Sequence, residues 1–424
     1  MRYVVVGLHA AGRSACQWLR RADPACEIVG VDPSAGSLYA RPLISYVLDG
    51  ELPEHALVKD SAPFFENLGV QLKRAAAVGL DANRKRLILD SGEELAYDKL
   101  LAATGSAPRR VRLEGDGADH VCYFRGQADL ARILAHVKSG GVAAVLGGGL
   151  VGFKLTHGLV ARGMKVKLMV TSPRPLALNV DEYVGSWAGA RFKEMDGVHL
   201  MTSTSVVRAD VHGQGLRLTL DDGSTEDVDL VVAGKGVVPR FAWLAEAGPE
   251  TDQGLLVDNR LMTSVEDVYA AGDAVQASDI VHERPLLNAI WPNAVEQGRV
   301  AALNMAAKGP AQGPAYAGSI AMNAIPIFGT HMVSVGMVNP RYTEGCEFIT
   351  TTCHRGSYLN IVIRDGVIVG AVGLSAVPRL GELAHAVRTR MKVSRIPARW
   401  LKNPRNAAPL AGNTPWYKGS RVGA

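Results

Sequence analysis

Six residues between an apolar strand and a helix constrain this chain more than any other feature: Gly147-Gly148-Gly149-Leu150-Val151-Gly152. An apolar strand, 141–146, precedes them, and helix 153–162 and strand 165–170 follow. Gly147, Gly149 and Gly152 satisfy G-x-G-x-x-G in the context where it carries a mechanism, a tight turn that brings a pyrophosphate onto a helix N-terminus. The unit requires an α/β fold with a parallel sheet. A second copy opens the chain: strand 3–7, turn Gly7-Leu8-His9-Ala10-Ala11-Gly12, helix 13–21 and strand 27–32. Asp32 stands at the end of that second strand, where a carboxylate accepts hydrogen bonds from an adenosine ribose. His9 replaces the middle glycine of this turn, so its side chain must point away from a phosphate or stack nearby.

Two further pieces follow in order. Strand 99–103 ends in Ala103-Thr104-Gly105-Ser106-Ala107-Pro108, and strand 268–271 delivers Gly272 and Asp273, a small residue for close approach and a carboxylate for a polyol hydroxyl. Trp291-Pro292-Asn293 begins a helix whose N-terminal dipole favours negative charge.

With these motifs in this order, residues 1 to about 312 resemble the pyridine nucleotide-disulfide oxidoreductase superfamily, FAD-dependent NAD(P)H oxidoreductases. The resemblance implies two Rossmann-like dinucleotide-binding domains, for FAD (1–108 and 241–312) and for NAD(P) (109–240). A C-terminal α+β domain (313–392) would follow, and then a basic tail (393–424). It implies FAD on Gly7, Ala11, Gly12, Asp32, Arg41, Pro42, Ala103, Thr104, Gly105, Gly272 and Asp273, with the Ala77 backbone against adenine and the helix from Trp291, Pro292 and Asn293 facing the flavin. The nicotinamide nucleotide, NAD(H), falls to Gly147, Gly149, Leu150, Val151, Gly152, Thr171 and Gly236, the last in the G-x-x-P element that closes the domain.

Departures from the family pattern carry as much information. Where members with redox thiols place cysteine, this chain has Ile44, Ser45 and Tyr46. The neighbouring Arg41-Pro42 resembles the rubredoxin-reductase and nitrite-reductase branch, and implies a guanidinium beside the flavin that stabilises its anionic reduced form. The glutamate often found two residues after the last glycine is Lys154, a cation that either alters hydride energetics or forms an ion pair on the helix. Arg41 and Lys154 are the candidate catalytic residues. The ribose-gripping acid after Val170 is missing, with Thr171-Ser172-Pro173-Arg174 in its place. Thr171 and Ser172 offer hydroxyls to ribose, and Arg174 offers a cation to a 2′-phosphate, so NADP(H) stays open alongside NAD(H).

Composition sets the bounds. With 424 residues, 47% apolar and 21% charged, the chain reads as several soluble domains without a disorder signature. No apolar run reaches the roughly 18–20 residues of a membrane span, and strand 3–7 leaves no room for a signal peptide, so the cytoplasm is expected. Cys16, Cys26, Cys122, Cys346 and Cys353 form no C-x-x-C or C-x-x-x-x-C pair, which argues against a redox disulfide or a bound metal. Nine Lys/Arg and no acid follow Glu382, so a net charge of +5 divides into a body of −4 and a strongly basic end. With Trp400, Trp416 and Tyr417, that tail suits a partner subunit better than nucleic acid, for which no fold is present.

With no thiol relay, electrons on FAD must pass to or from an external centre. The expected function is an NAD(P)H:acceptor oxidoreductase that exchanges electrons with an iron–sulfur, ferredoxin-like subunit of a redox complex. The resemblance extends to the FAD subunit of tungsten aldehyde oxidoreductases, which implies a tungsten catalytic subunit as partner. A freestanding NAD(P)H:rubredoxin or ferredoxin reductase and a non-catalytic bridging flavoprotein are the alternatives.

Overall fold

Short apolar runs ending in glycine turns form strands buried on both faces, the pattern of parallel sheets covered by helices. Strand Arg2–Val6 pairs in parallel with Glu27–Val31 on one side and Lys99–Ala102 on the other. Val70–Lys73 and Val268–Ala270 complete the two edges. The second sheet repeats this plan: Val142–Leu146 lies between Lys165–Val170 and Leu230–Ala233, with Val198–Thr202 and Cys122–Tyr123 at the edges. In both sheets the strand before the glycine turn is central, and its two neighbours connect in opposite directions. That switch point opens a crevice at the carboxyl ends of the strands. Each sheet is accompanied by a three-stranded antiparallel meander, Ala77–Asp81, Arg86–Leu89 and Glu94–Ala96 for the first, Val206–His212, Gly215–Leu220 and Thr225–Val228 for the second.

A computed structural model describes residues 1–34, 37–57, 59–60, 62–309, 312–353, 357–375 and 380–395. They divide into two compact units, Met1–Ala177 with Gly185–Ser319, and Leu178–Val184 with the residues from Ile320 onward. The second unit's main segment begins at Ile320. Residues 313–319 are tied back to the first unit, where Gly313 O accepts from Arg260 Nη1 at 2.9 Å, Pro314 O from Asn304 Nδ2 at 2.9 Å, and Tyr316 N donates to Asn259 O at 2.6 Å.

In the second unit Met322–Ile327, Thr330–Gly336, Val367–Leu374, Ser357–Arg364 and Glu347–Cys353 form one antiparallel sheet in that order, followed by helix Leu380–Arg388. The last hairpin turns at Asp365-Gly366, both with positive φ (53° and 71°), as a two-residue turn between right-twisted strands requires. Asp181 accepts Tyr358 Oη at 2.6 Å and Asn360 Nδ2 at 3.0 Å, and Tyr183 stacks on Tyr358 with ring centroids 4.2 Å apart.

Among the described residues Ala62–Asn67, Gln127–Leu134 and Glu182–Glu194 are helices that escape the sequence pattern. Helix Glu182–Glu194 carries Gly185 and Gly189, each costing about 1 kcal/mol of helix propensity, so tertiary packing decides it. Among the described residues no helix is long and apolar enough to cross a membrane. The expected tail contact lies outside the described residues beyond Arg395.

Candidate functional site

The first turn is closed by backbone contact. A β-carbon on Gly12 would lie 1.8 Å from Gly7 O, and one on Gly7 would lie 2.3 Å from Ala103 O and 3.1 Å from Thr104 Cα. Only hydrogen fits, so Gly7, Gly12, Ala103 and Thr104 are drawn together at the head of the sheet. Helix Ala10–Ala22 begins here and packs against helix Trp291–Ala306, where a β-carbon on Gly298 would meet Ala11 O at 2.1 Å. Asp32 is buried, with Oδ2 accepting from Leu8 N at 2.9 Å and Oδ1 from Ser34 N and Oγ at 2.8 and 2.6 Å. It thereby braces the turn. His9 turns its ring edge-on to Tyr39, 5.7 Å away. Burial, reinforced by Arg41 and opposed by Asp32, pulls its pKa down to about 4.

Asp273 is the hub of the next layer. Its Oδ2 accepts from Ser106 Oγ at 2.9 Å and from Arg125 Nη2, which also donates to Ser106 Oγ at 2.6 Å. Sequence reading missed Arg125; Asp129 Oδ2 accepts from Arg125 N and Gly126 N, both at 2.9 Å, a local N-terminal capping signal three to four residues on. Gly272 N donates to buried Gln297 Oε1 at 2.8 Å, fixing the strand end against helix Trp291–Ala306. Arg41 Nη1 lies 3.8 Å from where a Gly105 β-carbon would sit. Burial lowers the Arg41 pKa below its ordinary value, with Arg125 and Arg240 adding to the effect and Tyr39 and Asp273 opposing it. Ala77 pairs with Leu89 in its hairpin and packs on the core of the first sheet; Trp291 is exposed and Asn293 buried at the helix start.

Arg41-Pro42-Leu43 forms a 3-10 turn into the short helix Ile44–Leu48. Helix Leu150–Ala161 meets it along one face. Lys154 Nζ donates to Ser45 Oγ at 3.1 Å, a β-carbon on Gly158 would lie 2.7 Å from Leu48 Cγ, and Arg162 donates to Leu48 O and Val47 O at 2.9 and 2.8 Å. Residues 154, 158 and 162 recur every four positions, which puts them on one side of a helix. Ser45 Oγ in turn donates to Pro42 O at 2.9 Å, and Lys154 Nζ lies 5.4 Å from the Tyr46 ring centroid. Burial lowers the Lys154 pKa below its ordinary value, partly offset by Asp49.

At the second turn a β-carbon on Gly152 would lie 1.7 Å from Gly147 O, and one on Gly148 would lie 2.6 Å from Val170 Cγ1. Gly149 caps helix Leu150–Ala161, and Val151 borders Gly234, whose added β-carbon would lie 3.2 Å from it. Thr171, just past the strand end, accepts from Lys235 Nζ at 2.6 Å, and Gly236 O accepts from Arg109 N at 2.9 Å. Arg174 Cδ and Nε lie 2.8 and 3.0 Å from the position of a Gly185 β-carbon, and its Nε is buried without a hydrogen-bond partner among the described residues. Lys235 is a second cation at the strand end.

The residues fit the dinucleotides that this topology implies. Both turns have the close glycine contacts that a pyrophosphate-binding turn needs, and His9 Nδ1 and Arg125 Nε are buried without a hydrogen-bond partner among the described residues.

Comparison with known proteins agrees. Residues 1–298 match the family model for pyridine nucleotide-disulphide oxidoreductases. The chain is 31% identical over 408 residues to the NADH-dependent phenylglyoxylate dehydrogenase subunit epsilon of Aromatoleum evansii, covering 95% of each chain. It is 29% identical to a rubredoxin-NAD(+) reductase of Pseudomonas putida over 305 residues, 71% of this chain and 79% of that one. The NAD-dependent persulfide reductase of A. fulgidus superposes with a TM-score of 0.83 at 25% identity, over 93% of this chain and 78% of that one. The reductase in the covalent putidaredoxin reductase–putidaredoxin complex shares the fold, with a TM-score of 0.84 at 21% identity over 96% and 97%. The chain belongs to the pyridine nucleotide-disulphide oxidoreductase family and is an FAD-dependent NAD(P)H oxidoreductase.

Proposed function

We propose that this chain is the electron-transfer subunit of a cytoplasmic redox complex, exchanging electrons between a nicotinamide nucleotide and an iron–sulfur, ferredoxin-like partner. One observation carries the reading: the position of the family's redox thiols holds Ser45, whose hydroxyl is committed to Pro42 O and Lys154 Nζ. Cys16, Cys26 and Cys122 are buried elsewhere, and burial raises all three thiols above their ordinary pKa, so they are poor electron relays. Bound FAD supplies hydride acceptance and the release of electrons one at a time. The chain's own part is electrostatic and positional. Arg41 and Lys154 are candidates to hold positive charge at the flavin, Asp273 with Arg125 to orient its chain, and the turn at Gly147 to hold the nucleotide.

Likeness over 95% of both chains to a named dehydrogenase subunit supports a place in a complex. The catalytic partner is then one that oxidises a carbonyl compound, whether the tungsten aldehyde oxidoreductase implied by the sequence or an oxo-acid dehydrogenase. Anoxic purification of the native complex tests the reading: FAD and iron should co-purify, and NADH or NADPH should bleach the flavin band. Complete activity toward a small acceptor in an iron-free preparation would sink it.

A further inference from the structure

In this fold the ribose of the bound nucleotide is read at the end of the second strand of its unit, by an acid for a free 2′-hydroxyl or by a cation for a 2′-phosphate. Here the strand Lys165–Val170 ends in Thr171, and the group that reaches it is the ammonium of Lys235, at 2.6 Å. Lys235 follows Gly234, and Gly234 O lies 2.6 Å from where a β-carbon on Gly147 would stand, so the cation arises beside the glycine turn itself. Among the described residues Lys235 forms no ion pair. Burial lowers its pKa, and no carboxylate offsets that effect.

Lys235 also lines a cavity of about 280 Å³ together with Leu146 and Met169, at the carboxyl ends of strands Val142–Leu146 and Lys165–Val170. Its wall carries Arg109, Arg110 and Arg112 and no acid. The strip is held in place: Arg109 N donates to Gly236 O at 2.9 Å, Val111 N to Tyr123 Oη at 3.1 Å, and the Arg110 guanidinium lies over the Tyr123 ring at 4.3 Å. Lys235, without a counter-ion among the described residues, and three arginines around a hollow whose lining holds no acid make a positive field that suits a dianion.

We propose that Lys235 and Thr171 receive the 2′-phosphate of NADP(H), with the arginine strip supplying the surrounding positive field, so that this chain prefers NADP(H) to NAD(H). The inference rests on the second unit being the nicotinamide nucleotide site, and it predicts a preference other than the one that two relatives are named for, NADH and NAD(+). A phosphorylated ribose places its charge where Lys235 already bonds Thr171, and leaves the pyrophosphate to the turn at Gly147.

The test is calorimetric binding of 2′,5′-ADP and of 5′-ADP to the FAD-loaded full chain, which needs no turnover. The wild type should bind 2′,5′-ADP at least about tenfold more tightly, the scale of one or two charge-assisted hydrogen bonds. Lys235→Ala should erase the preference and Lys235→Arg should retain it. Equal binding of the two ligands by the wild type, or a preference that survives Lys235→Ala, would overturn the proposal alone. Failure of both ligands to bind would overturn it together with the nucleotide-site reading beneath it.

Discussion

Lys154 and Ser45, 109 residues apart in sequence, are joined by a 3.1 Å hydrogen bond that links the helix of the second glycine turn to the short helix Ile44–Leu48. An ammonium thus stands where the family often has a carboxylate. If it lies at the flavin, Lys154→Met removes charge that stabilises the reduced cofactor. The midpoint potential should fall by tens of millivolts, about 30 mV for each 1.4 kcal/mol lost in a two-electron couple. Spectroelectrochemical titration of both proteins checks this; an unchanged potential assigns Lys154 to packing.

The ion pair of Arg125 and Asp273 joins the turn after edge strand Cys122–Tyr123 of the second sheet to the end of strand Val268–Ala270 of the first. Arg125→Ala leaves a mostly buried carboxylate with only Ser106 as donor, at a cost of about 1–3 kcal/mol. Reduced FAD per chain after gel filtration and a lower melting temperature are expected, with partial recovery in Arg125→Lys.

His9 gives a pH dependence with a definite sign. Its folded pKa of about 4 lies below the ordinary imidazole value of 6.5, so between those values the unfolded chain binds the extra proton. Stability should therefore fall as pH drops from 6.5 toward 4, by up to about 3 kcal/mol, and this contribution should level off below 4. Melts of cofactor-depleted protein across that range should show the slope in the wild type and a shallower one in His9→Gln.

Gly152→Ala would drive a methyl group into Gly147 O, forcing a backbone shift that costs about 1–3 kcal/mol, as overpacking does. Nucleotide binding should weaken strongly while FAD content stays near that of the wild type, because the first turn is untouched. Loss of FAD as well would mean that the two turns do not act separately.

What the sequence made legible follows from locality. Each glycine turn with its flanking strands and helix spans about thirty residues, so the pattern at 7–12 and at 147–152 carries its own structural context. The repeated sheet order follows from the same units. Arg125 was invisible because its partner, Asp273, lies 148 residues away. Lys235 was hidden because its meeting with Thr171 depends on Leu230–Ala233 returning beside Val142–Leu146, a pairing that no local spacing announces.

The segment Leu178–Val184 belongs with the C-terminal sheet, through Asp181 on Tyr358 and Asn360 and Tyr183 stacked on Tyr358. The C-terminal unit is therefore not a cassette that one cut before Ile320 can lift out. Any exchange of that unit between relatives must carry a seven-residue insert from the middle of the chain, or strand the hydroxyl of Tyr358 and the amide of Asn360 without their acceptor. Shuffling at this boundary is penalised, so the reductase core and its C-terminal unit are bound to be inherited together.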